Sequence, residues 1–520
     1  MHMTPYQCYL AKMGALKSDV TLQPHQRDAI DRAVANNGSI LLAHGVGTGK
    51  TLSSAAIFEH LRDAGKAQRA LVVVPSSLRE NFIEQGVNKF TTSKALKFGP
   101  KNEEGSLHID QELPNAHYYV VSNELFRKNP HEYVAKTKAD TIIWDEAHKG
   151  RNDQSLNFAA MREARRKVKN FIALSGSPVM NHPHDIVPLV DIVTNGKHKL
   201  GTPKQFDRMY VGQRVETHGP LASLGMGVRT VEPALKNMRY LKEELDKHVH
   251  YVPVEAVATN MPRKVVHDIP VEMSNHQKEL YDYAMANVSP AIAAKVRNNV
   301  PVSTTEARSM LAKIIRARQV VNSVHTMDSR HDALSGALTT PKLQRALKDV
   351  DDHLKANPNN KAIVYTNLVT GGVDAAVAGL KHHGYEPGVF VGQTHQSKAE
   401  RLQHIDDYLK GKKRVMVINS AGTEGLNLPG TTLHVTLDPN FNPEVTQQAE
   451  ARGIRAGSPV PEVHVNRYVT VQPKMFGMFR NPFAGATVDE WTYTVANKKT
   501  RLNNQLTDLL RRPLHAPQQQ

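Results

Sequence analysis

Residues 40–61 read ILLAHGVGTGKTLSSAAIFEHL, and this stretch combines the patterns of a buried strand, a glycine-rich turn and a helix. The apolar run Ile40–Ala43 predicts the strand, and the segment after the turn predicts the helix. Such a junction presents backbone N–H groups and the positive end of a helix to phosphate oxygens. The stretch therefore indicates an α/β fold with a phosphate-binding loop at Gly45–Thr51, and a chance glycine-rich turn is the alternative.

Lys50 and Thr51 give the loop the residues that a magnesium nucleotide requires. The lysine is expected to contact the β- and γ-phosphates, and the threonine hydroxyl is expected to bind magnesium. The usual pattern begins with a glycine five residues before Gly49, where this chain has His44. The predicted nucleotide-binding residues of the loop are Gly45, Gly47, Thr48, Gly49, Lys50 and Thr51.

Two adjacent carboxylates follow another strand-like run. The sequence TIIW at residues 141–144 is followed by Asp145 and Glu146. In an α/β nucleotide site, the end of a strand is where a magnesium ligand belongs. Asp145 is therefore predicted to bind magnesium, and Glu146 is predicted to polarise the attacking water. The alternative is an acidic pair that caps the N-terminus of a helix.

Three downstream residues complete the predicted catalytic set. Gln448 is followed at helical spacing by Arg452 and Arg455, and the two arginines are expected to share a helix face. An arginine supplied by a second structural element stabilises the charge that develops on the γ-phosphate during phosphoryl transfer. Both arginines are candidate arginine fingers, and a pair of solvated surface arginines is the alternative.

The composition bounds the class of protein and its partners. The chain has 520 residues, 40% of them hydrophobic and 22% charged, which predicts two or more globular domains. Its formal net charge of +16 favours a polyanionic partner, although many basic proteins have none. The single cysteine, Cys8, excludes disulfide scaffolds and cysteine-based zinc sites. The sequence has no signal-peptide pattern and no apolar run that could cross a bilayer, so a cytoplasmic location is expected.

Strand-like runs alternate with helical stretches in both halves of the chain, which predicts two α/β lobes with parallel sheets. The runs in the first half are Ile40–Ala43, Leu71–Val74, Tyr118–Val121, Thr141–Trp144 and Phe171–Leu174. The runs in the second half are Ala362–Tyr365, Val389–Val391, Arg414–Ile418, Leu433–Leu437 and Val463–Val469. The predicted first lobe covers residues 1–275 and includes a helical insertion at about 195–262. A second helical insertion covers 276–340, and a second lobe with a C-terminal helix covers 341–520.

From about Leu22 to about Arg501 the sequence resembles the superfamily-two helicases, and within them the Swi/Snf-type DNA translocases. Besides the phosphate loop and the downstream arginines, short segments along this range carry the resemblance. They are LQPHQ at 22–26, LVVVPSSL at 71–78, VSNE at 121–124, DEAH at 145–148, SGSP at 175–178 with Asn181, MPRK at 261–264, QKELY at 277–281, PKL at 341–343, and AGTEGLNL at 421–428 with Asp438, Asn442 and Pro443.

The resemblance implies two tandem RecA-like parallel-sheet lobes with helical insertions, and it implies ATP with Mg²⁺ at the nucleotide site. Gln26 is expected to contact the adenine, and Gly425 and Gln448 are expected to contribute to the nucleotide site from the second lobe. Two segments depart from the usual pattern of the family, namely His44-Gly45-Val46 in the phosphate loop and Thr423-Glu424 in the fifth motif.

The resemblance also implies a function. The expected activity is that of a nucleic-acid-stimulated ATPase that translocates along DNA, with duplex DNA favoured, through ATP-driven closure of the two lobes. A strand-separating DNA or RNA helicase is the first alternative, and a non-enzymatic ATP-bound scaffold is the less favoured one. Compact chains of this kind resemble forms encoded by bacteriophages and bacteria, which predicts the cytoplasm, or the host cytoplasm, as the location. Because both halves of the site lie in one chain, a monomer suffices.

Two basic clusters are candidate contacts for nucleic-acid phosphates, and solvated helix faces are the alternative for both. The first cluster consists of Arg162, Arg165, Arg166, Lys167 and Lys169. The second consists of Lys313, Arg316 and Arg318.

Overall fold

The computed structural model describes residues 15–45, 47–101, 103–176, 182–218, 228–257, 261–300, 304–327, 340–392, 396–423, 426–455, 457–474 and 485–512. The chain divides into two compact units. The first unit is Met1–Ala258 with Arg501–Gln520, and the second is Thr259–Thr500. The first unit therefore takes its sequence from both ends of the chain, and its C-terminal part is not contiguous with the rest.

The first unit is built on a parallel sheet. In the described part of the chain this sheet has seven strands in the order β3-β4-β2-β5-β6-β1-β9. These strands are β1 (Ser39–His44), β2 (Ala70–Val74), β3 (Ala95–Lys97), β4 (Tyr118–Ser122), β5 (Thr141–Trp144), β6 (Asn170–Ser175) and β9 (Val249–Val252). The five strands that the sequence predicts in this half are all present, whereas β3 and β9 were not predicted.

The strand residues of the first unit alternate between two hydrophobic cores. In β1, Leu41 and Ala43 pack into the core on one face of the sheet, while Ile40 and Leu42 pack into the core on the other. Because successive side chains of a strand point to opposite faces, a strand that is covered on both sides is apolar at every position. This arrangement explains why the central strands read as uninterrupted apolar runs.

Helices cover both faces of this sheet. Those within the first unit are Pro24–Ala35, Lys50–Asp63, Arg79–Asn81, Asn88–Phe90, Asn123–Phe126, Pro130–Thr137, Leu156–Arg165, Ile186–Thr194, Pro203–Tyr210 and Met238–His248. A further helix, Val488–Arg511, begins in the second unit, and its residues from Arg501 onward belong to the first. There Leu502 and Leu506 are buried in the same core as Trp144.

The segment at 195–262 differs from the helical insertion that the sequence predicts. It contains two of the helices named above, but it also contains an antiparallel strand pair, β7 (Val211–His218) and β8 (Val228–Leu235). Its last strand, β9, joins the main sheet beside β1. Strand pairing depends on partners that are distant in sequence, and the polar residues of β7 give no buried-strand signal.

The second unit contains the second parallel sheet. Its six strands in the described chain have the order β10-β15-β14-β11-β13-β12. They are β10 (Arg263–Glu272), β11 (Ala362–Tyr365), β12 (Gly388–Phe390), β13 (Val415–Ile418), β14 (Leu433–Thr436) and β15 (Glu462–Val471). All five predicted runs of this half form strands. The edge strand β10 was not predicted, because its exposed and polar positions lack an apolar pattern.

Helices complete the second unit. They are Asn275–Ala286, Pro290–Arg297, Thr304–Val320, Pro341–Ala356, Asp374–His382, Lys398–Leu409 and Pro443–Glu450, together with the first part of Val488–Arg511. Thr340 caps the helix Pro341–Ala356, because its hydroxyl accepts a hydrogen bond from the backbone N–H of Leu343. The expectation of two α/β units with parallel sheets is confirmed. Among the described residues, none of the helices is long and apolar enough to span a membrane.

Candidate functional site

The predicted phosphate loop lies between β1 and the helix Lys50–Asp63. Gly47 and Gly49 have φ angles of +84° and +80°, which L-residues with a side chain rarely adopt. A Cβ atom on Gly49 would also lie 2.7 Å from the side-chain nitrogen of Gln26. Both the conformation of the backbone and the close approach of Gln26 therefore require glycine at position 49.

Hydrogen bonds within the loop hold its residues in place. The Thr48 hydroxyl donates to the carbonyl oxygen of Gly45 over 2.8 Å. The Lys50 amine donates to the carbonyl oxygens of His44 and Gly45 over 3.0 and 3.2 Å. Lys50 and Thr51 are the first two residues of their helix, where the helix dipole favours an anion. The loop thus combines a lysine amine with the positive end of a helix.

Gln26 is oriented by its own helix. It is the third residue of the helix Pro24–Ala35, and its side-chain oxygen accepts a hydrogen bond from the backbone N–H of Gln23 over 2.9 Å. The side chain is buried, with 3% of its surface exposed. Its amide nitrogen is consequently directed at Gly49 in the phosphate loop. The structure therefore brings together two segments that the sequence links only through the family resemblance.

A chain of three side chains lies behind the phosphate loop, and sequence reasoning did not identify it as a unit. Nε2 of His44 is 2.8 Å from Nδ1 of His250, and Nε2 of His250 is 3.0 Å from a carboxylate oxygen of Asp28. Because a carboxylate accepts, His250 carries its proton on Nε2 and accepts from His44 on Nδ1. These three hydrogen-bonded side chains left no local pattern in the sequence, since His250 lies 206 residues beyond His44.

The same geometry keeps His44 neutral. Burial is the largest cause, and nearby positive charge from His250 and Lys50 adds to it, so that the pKa of His44 falls to about 2. The buried Nδ1 of His44 has no hydrogen-bond partner among the described residues. A second proton on this nitrogen would therefore be buried without a hydrogen bond. His44 therefore stands at the start of the phosphate loop as an uncharged, buried side chain.

Asp145 and Glu146 lie directly after β5, as predicted, at the carboxyl edge of the sheet. One oxygen of the Asp145 carboxylate accepts a hydrogen bond from the backbone N–H of Glu146 over 2.9 Å. Glu146 has a left-handed φ of +51°, and its carboxylate lies 3.2 Å from Nδ1 of His148. The turn thus aims the two carboxylates in different directions, and the Glu146 side chain keeps 34% of its surface exposed.

The two carboxyl groups differ in their affinity for a proton. Burial and the neighbouring Glu146 charge raise the pKa of Asp145 to about 6, against the opposing effect of Lys50. Burial also disfavours ionised Glu146, but the close contact with His148 and the electrostatic effects of His148 and Lys50 outweigh it and lower the pKa of Glu146 to about 2. Lys50 acts electrostatically on both carboxyl groups, so the loop and the acidic pair lie near each other in the first unit.

The arginines of the second unit occupy positions that differ in part from the prediction. Gln448 lies in the helix Pro443–Glu450, but this helix ends before Arg452 and Arg455, so the two arginines do not share a helix face. Beyond the helix, a Cβ atom on Gly453 would lie 2.8 Å from Thr431. This close approach requires glycine in the segment that joins the two arginines, and the sequence spacing alone could not show that.

Both arginines nevertheless contact the same backbone carbonyl. Arg452 donates to the carbonyl oxygen of Leu426 over 3.0 Å and to that of Gln448 over 3.0 Å. Arg455 donates to the Leu426 carbonyl over 3.3 Å, and burial lowers the pKa of its guanidinium group. The buried Nε of Arg455 has no hydrogen-bond partner among the described residues. Arg452 is therefore fixed by its backbone contacts more fully than Arg455.

Two of the basic candidates for phosphate contact prove to be structural. Arg165 is buried and donates to several backbone carbonyls, among them those of Val168 and Ile192. Arg318 is buried and donates to the carbonyl oxygen of Pro439 over 3.1 Å. The remaining candidates have exposed side chains and stay candidates. They are Arg162, Arg166, Lys167 and Lys169 in the first unit and Lys313 and Arg316 in the second.

Several predicted residues lie outside the described part of the chain. Gly425 of the fifth motif is one of them. The others are Val46 and Glu424, together with Ser177, Pro178 and Asn181 of the motif that begins at Ser175.

Two models of known protein families match this chain. Residues 25–326 match the SNF2-related domain, and residues 345–457 match the helicase conserved C-terminal domain. The chain belongs to the SNF2-related family. It is accordingly a Snf2-type ATP-dependent helicase or translocase, and it is an ATP hydrolase.

Individual relatives are distant in sequence. An uncharacterized ATP-dependent helicase of Bacillus subtilis, YqhH, is 22% identical over 86% of this chain and 75% of its own length. The DNA repair and recombination protein RAD54 of Oryza sativa is 23% identical over 88% of this chain and 50% of its own length. The SWI2/SNF2 ATPase core of Sulfolobus solfataricus in complex with double-stranded DNA is 19% identical, with a TM-score of 0.40 over 93% of this chain and 97% of that one.

Proposed function

We propose that this Snf2-type enzyme couples ATP hydrolysis to translocation along DNA, with duplex DNA as the favoured track, and thereby remodels DNA or protein–DNA complexes. The observation that carries the proposal is the convergence of Lys50, Asp145 and Glu146 at one edge of the first sheet, in a chain of the SNF2-related family. The expected location is the cytoplasm, and a monomer suffices, since one chain carries the whole residue set.

The nucleotide part of the proposal assigns a role to each residue of the loop. The backbone at Gly45, Gly47, Thr48 and Gly49 would bind phosphate oxygens, Lys50 would bind the β- and γ-phosphates, and Gln26 would contact the adenine. Thr51 and Asp145 fit a magnesium ion, because both offer the oxygen ligands that this ion prefers. When bound, the ion would neutralise charge on the phosphates. Gly425 and Gln448 stay proposed contributors from the second unit.

Glu146 is proposed to orient and polarise the attacking water. Its carboxylate is ionised over the whole physiological range, because the close contact with His148 and the nearby positive charges hold its pKa at about 2. An ionised and partly exposed carboxylate can accept a proton or a hydrogen bond from water. His148 would act as a positioning residue, since it lies 3.2 Å from the carboxylate of Glu146.

Of the two arginines, Arg455 is the better candidate for the arginine finger. Arg452 donates to two backbone carbonyls and is 7% exposed, whereas the buried Nε of Arg455 has no acceptor among the described residues. A guanidinium group with an unused donor can turn to phosphate oxygens without breaking a full set of protein contacts. In this proposal Arg452 fixes the segment that carries Arg455. The two units are proposed to move during the ATP cycle.

The assignment of DNA as partner rests on charge and on relatives. The net charge of +16 favours a polyanion, and exposed basic side chains remain in both units. The rice relative is named for DNA repair and recombination. Contacts to the backbone phosphates would give little sequence preference, because phosphates carry no sequence information. The second candidate function is a strand-separating helicase, which the name of the Bacillus relative favours.

Steady-state ATP hydrolysis tests the proposal. The rate is measured without nucleic acid and with single-stranded DNA, blunt duplex DNA and RNA, with Lys50→Ala as the inactive control. The expected result is stimulation chiefly by duplex DNA, followed by displacement of a triplex-forming strand in an ATP-dependent assay. Stimulation chiefly by single strands together with unwinding of a tailed duplex would replace translocation by strand separation. Stimulation by RNA alone would overturn the choice of DNA.

A further inference from the structure

A cluster of two histidines and one aspartate lies in the first unit, on residues that follow β6. We call His182, His184 and Asp207 the His–Asp cluster. Each residue offers one ligand atom, and these atoms all lie within 4.8 Å of one another. The side chains keep 27%, 31% and 38% of their surface exposed, respectively. The cluster is therefore partly buried, but it is open to solvent on one side.

The distances within the cluster are close to those of a tetrahedral metal site. Nδ1 of His182 is 3.4 Å from one carboxylate oxygen of Asp207. Nδ1 of His184 is 3.0 and 2.9 Å from the two oxygens of the same carboxylate. Zinc ligands about 2.0–2.1 Å from the metal lie about 3.3–3.4 Å apart in a tetrahedron. The distances from each imidazole nitrogen to the Asp207 carboxylate are thus within a few tenths of an ångström of those in a tetrahedral zinc site.

Two ordered elements hold the ligands in this arrangement. His182 precedes a 3₁₀ turn, Pro183–Asp185, and its backbone N–H donates to the Asp185 carboxylate over 3.1 Å. Asp207 lies on the helix Pro203–Tyr210, whose first turn is capped by Thr202 and Gln205. Because both elements are fixed by their own hydrogen bonds, the cluster is formed before any ion binds, and little ordering would oppose binding.

The charges around the cluster favour a cation. Nδ1 of each imidazole ring lies within 3.4 Å of the Asp207 carboxylate, and the ring centroids are only 4.2 Å apart. Nδ1 of His182 also accepts a hydrogen bond from the backbone N–H of His184 over 3.4 Å, which holds this ring in place. Protonating both rings would place two like charges side by side, whereas one divalent ion can bind all three groups. A carboxylate oxygen of Asp185 lies 4.0 Å from Nε2 of His184, the nitrogen that points away from Asp207. A carboxylate near the outer nitrogen of a ligating histidine increases its basicity.

We propose that His182, His184 and Asp207 bind one divalent transition-metal ion, with zinc as the first choice and solvent completing the coordination. Imidazole and carboxylate ligands suit zinc and its neighbours in the first transition series better than magnesium. The ion ties the turn at 183–185 to the helix Pro203–Tyr210. Both elements follow β6, whose last residue, Ser175, begins the SGSP motif. This inference is independent of the function proposed above.

Cobalt absorption tests the site directly. The full chain, purified without a histidine tag and stripped with a chelator, is titrated with Co²⁺ while the visible d–d bands are recorded. The expected result is saturation at one equivalent, with bands of tetrahedral intensity that disappear when Zn²⁺ is added. Absence of these bands in the unaltered chain, or bands that require many equivalents, overturns the proposal whatever the variants show.

Three variants locate the ion. Asp207→Asn and His182→Gln each remove one ligand and are expected to weaken Co²⁺ and Zn²⁺ binding by about 100-fold or more. The matched control is His131→Gln, because His131 is an exposed histidine that faces a carboxylate, Glu163, in the same unit. The control should bind as the unaltered chain does. Unchanged affinity in both ligand variants, with their circular dichroism unchanged, would overturn the assignment, and so would an equal loss in the control.

Discussion

Nε2 of His44, the residue that precedes the first glycine of the phosphate loop, lies 2.8 Å from Nδ1 of His250 on β9. The backbone carbonyl of His44 accepts a hydrogen bond from the Lys50 amine, so this one residue joins the lysine of the loop to the neighbouring strand. The usual loop has a glycine at this position. In this chain the imidazole is directed away from the loop and is held by His250 and Asp28.

Removing His250 should therefore disturb the phosphate loop. His250→Ala leaves the buried Nε2–H of His44 without an acceptor, which is expected to cost about 1–3 kcal/mol of unfolding free energy. The KM for ATP is expected to rise because the loop loses a support. Urea unfolding and steady-state ATP hydrolysis measure the two effects. Asp28→Asn weakens only the hydrogen bond between residue 28 and His250, so it should lower the free energy of unfolding by less. Equal stability of His250→Ala and the unaltered chain would contradict this role.

The free energy of unfolding should fall as the pH falls below about 6.5. His44 has a pKa of about 2 in the folded chain, against 6.5 as its ordinary value. Between these values the unfolded chain binds more protons, so each pH unit lowers the stability by at most about 1.4 kcal/mol through this group. Above pH 6.5 the contribution of His44 to the free energy of unfolding no longer changes with pH. Denaturant unfolding at pH 7.5 and 5.5 measures the loss.

The matched comparison for this pH dependence is His44→Gln. This variant keeps the other titrating groups, including Asp145, whose raised pKa acts in the opposite direction between its ordinary value and about 6. The loss of stability between pH 7.5 and 5.5 is expected to be smaller in His44→Gln than in the unaltered chain. An identical loss in both would show that His44 is not the group responsible.

Glu146→Gln should separate nucleotide binding from hydrolysis. The substitution preserves the size of the side chain but removes the negative charge that is proposed to polarise water. ATP affinity is expected to change by less than about threefold, while turnover falls by about 100-fold or more. Binding of a fluorescent ATP analogue and steady-state hydrolysis provide the two measurements. His148→Ala, which removes the neighbouring imidazole, should lower turnover less. Full turnover in Glu146→Gln would exclude the role of general base.

The two arginines should respond differently to removal. Arg455→Ala is expected to lower turnover by about 1000-fold with little change in ATP affinity or in unfolding, because an arginine finger acts on the transition state. Arg452→Ala is expected to destabilise the second unit as well, since Arg452 is buried and donates to two carbonyls. Unfolding and hydrolysis are measured on both variants. The assignment is reversed if Arg455→Ala lowers the free energy of unfolding while Arg452→Ala lowers turnover alone.

A buried ion pair should control the stability of the second unit. The Lys342 amine lies 2.6 Å from the Asp489 carboxylate, and their side chains are only 1% and 2% exposed. Lys342→Met leaves the carboxylate buried without its partner, which is expected to cost about 3–5 kcal/mol. Lys342→Met with Asp489→Leu removes both charges and should recover most of that loss. Urea unfolding of the single and double variants tests the coupling, and Lys348→Met on the exposed face of the same helix is the control.

Prediction from sequence succeeded where the information was local. Ile40–Ala43 and Thr141–Trp144 are apolar at every position because both faces of their sheet are covered, so each strand can be recognised alone. Prediction from sequence failed for β3, β9 and the edge strand β10, whose sequences lack that apolar pattern. The prediction that Arg452 and Arg455 share a helix face was also wrong, because the helix ends at Glu450.

The sequence by itself determined the two parallel-sheet units, the glycine-rich turn after β1 and the acidic pair after β5, because each depends on neighbouring residues with a fixed spacing. Only the tertiary structure decided which side chains meet across large separations in the chain. It placed Gln26 against Gly49, joined His44 to His250, buried Arg165 and Arg318 as structural groups, and assembled the His–Asp cluster. Burial and hydrogen-bond partners arise only from packing, so they have no local signature in the sequence.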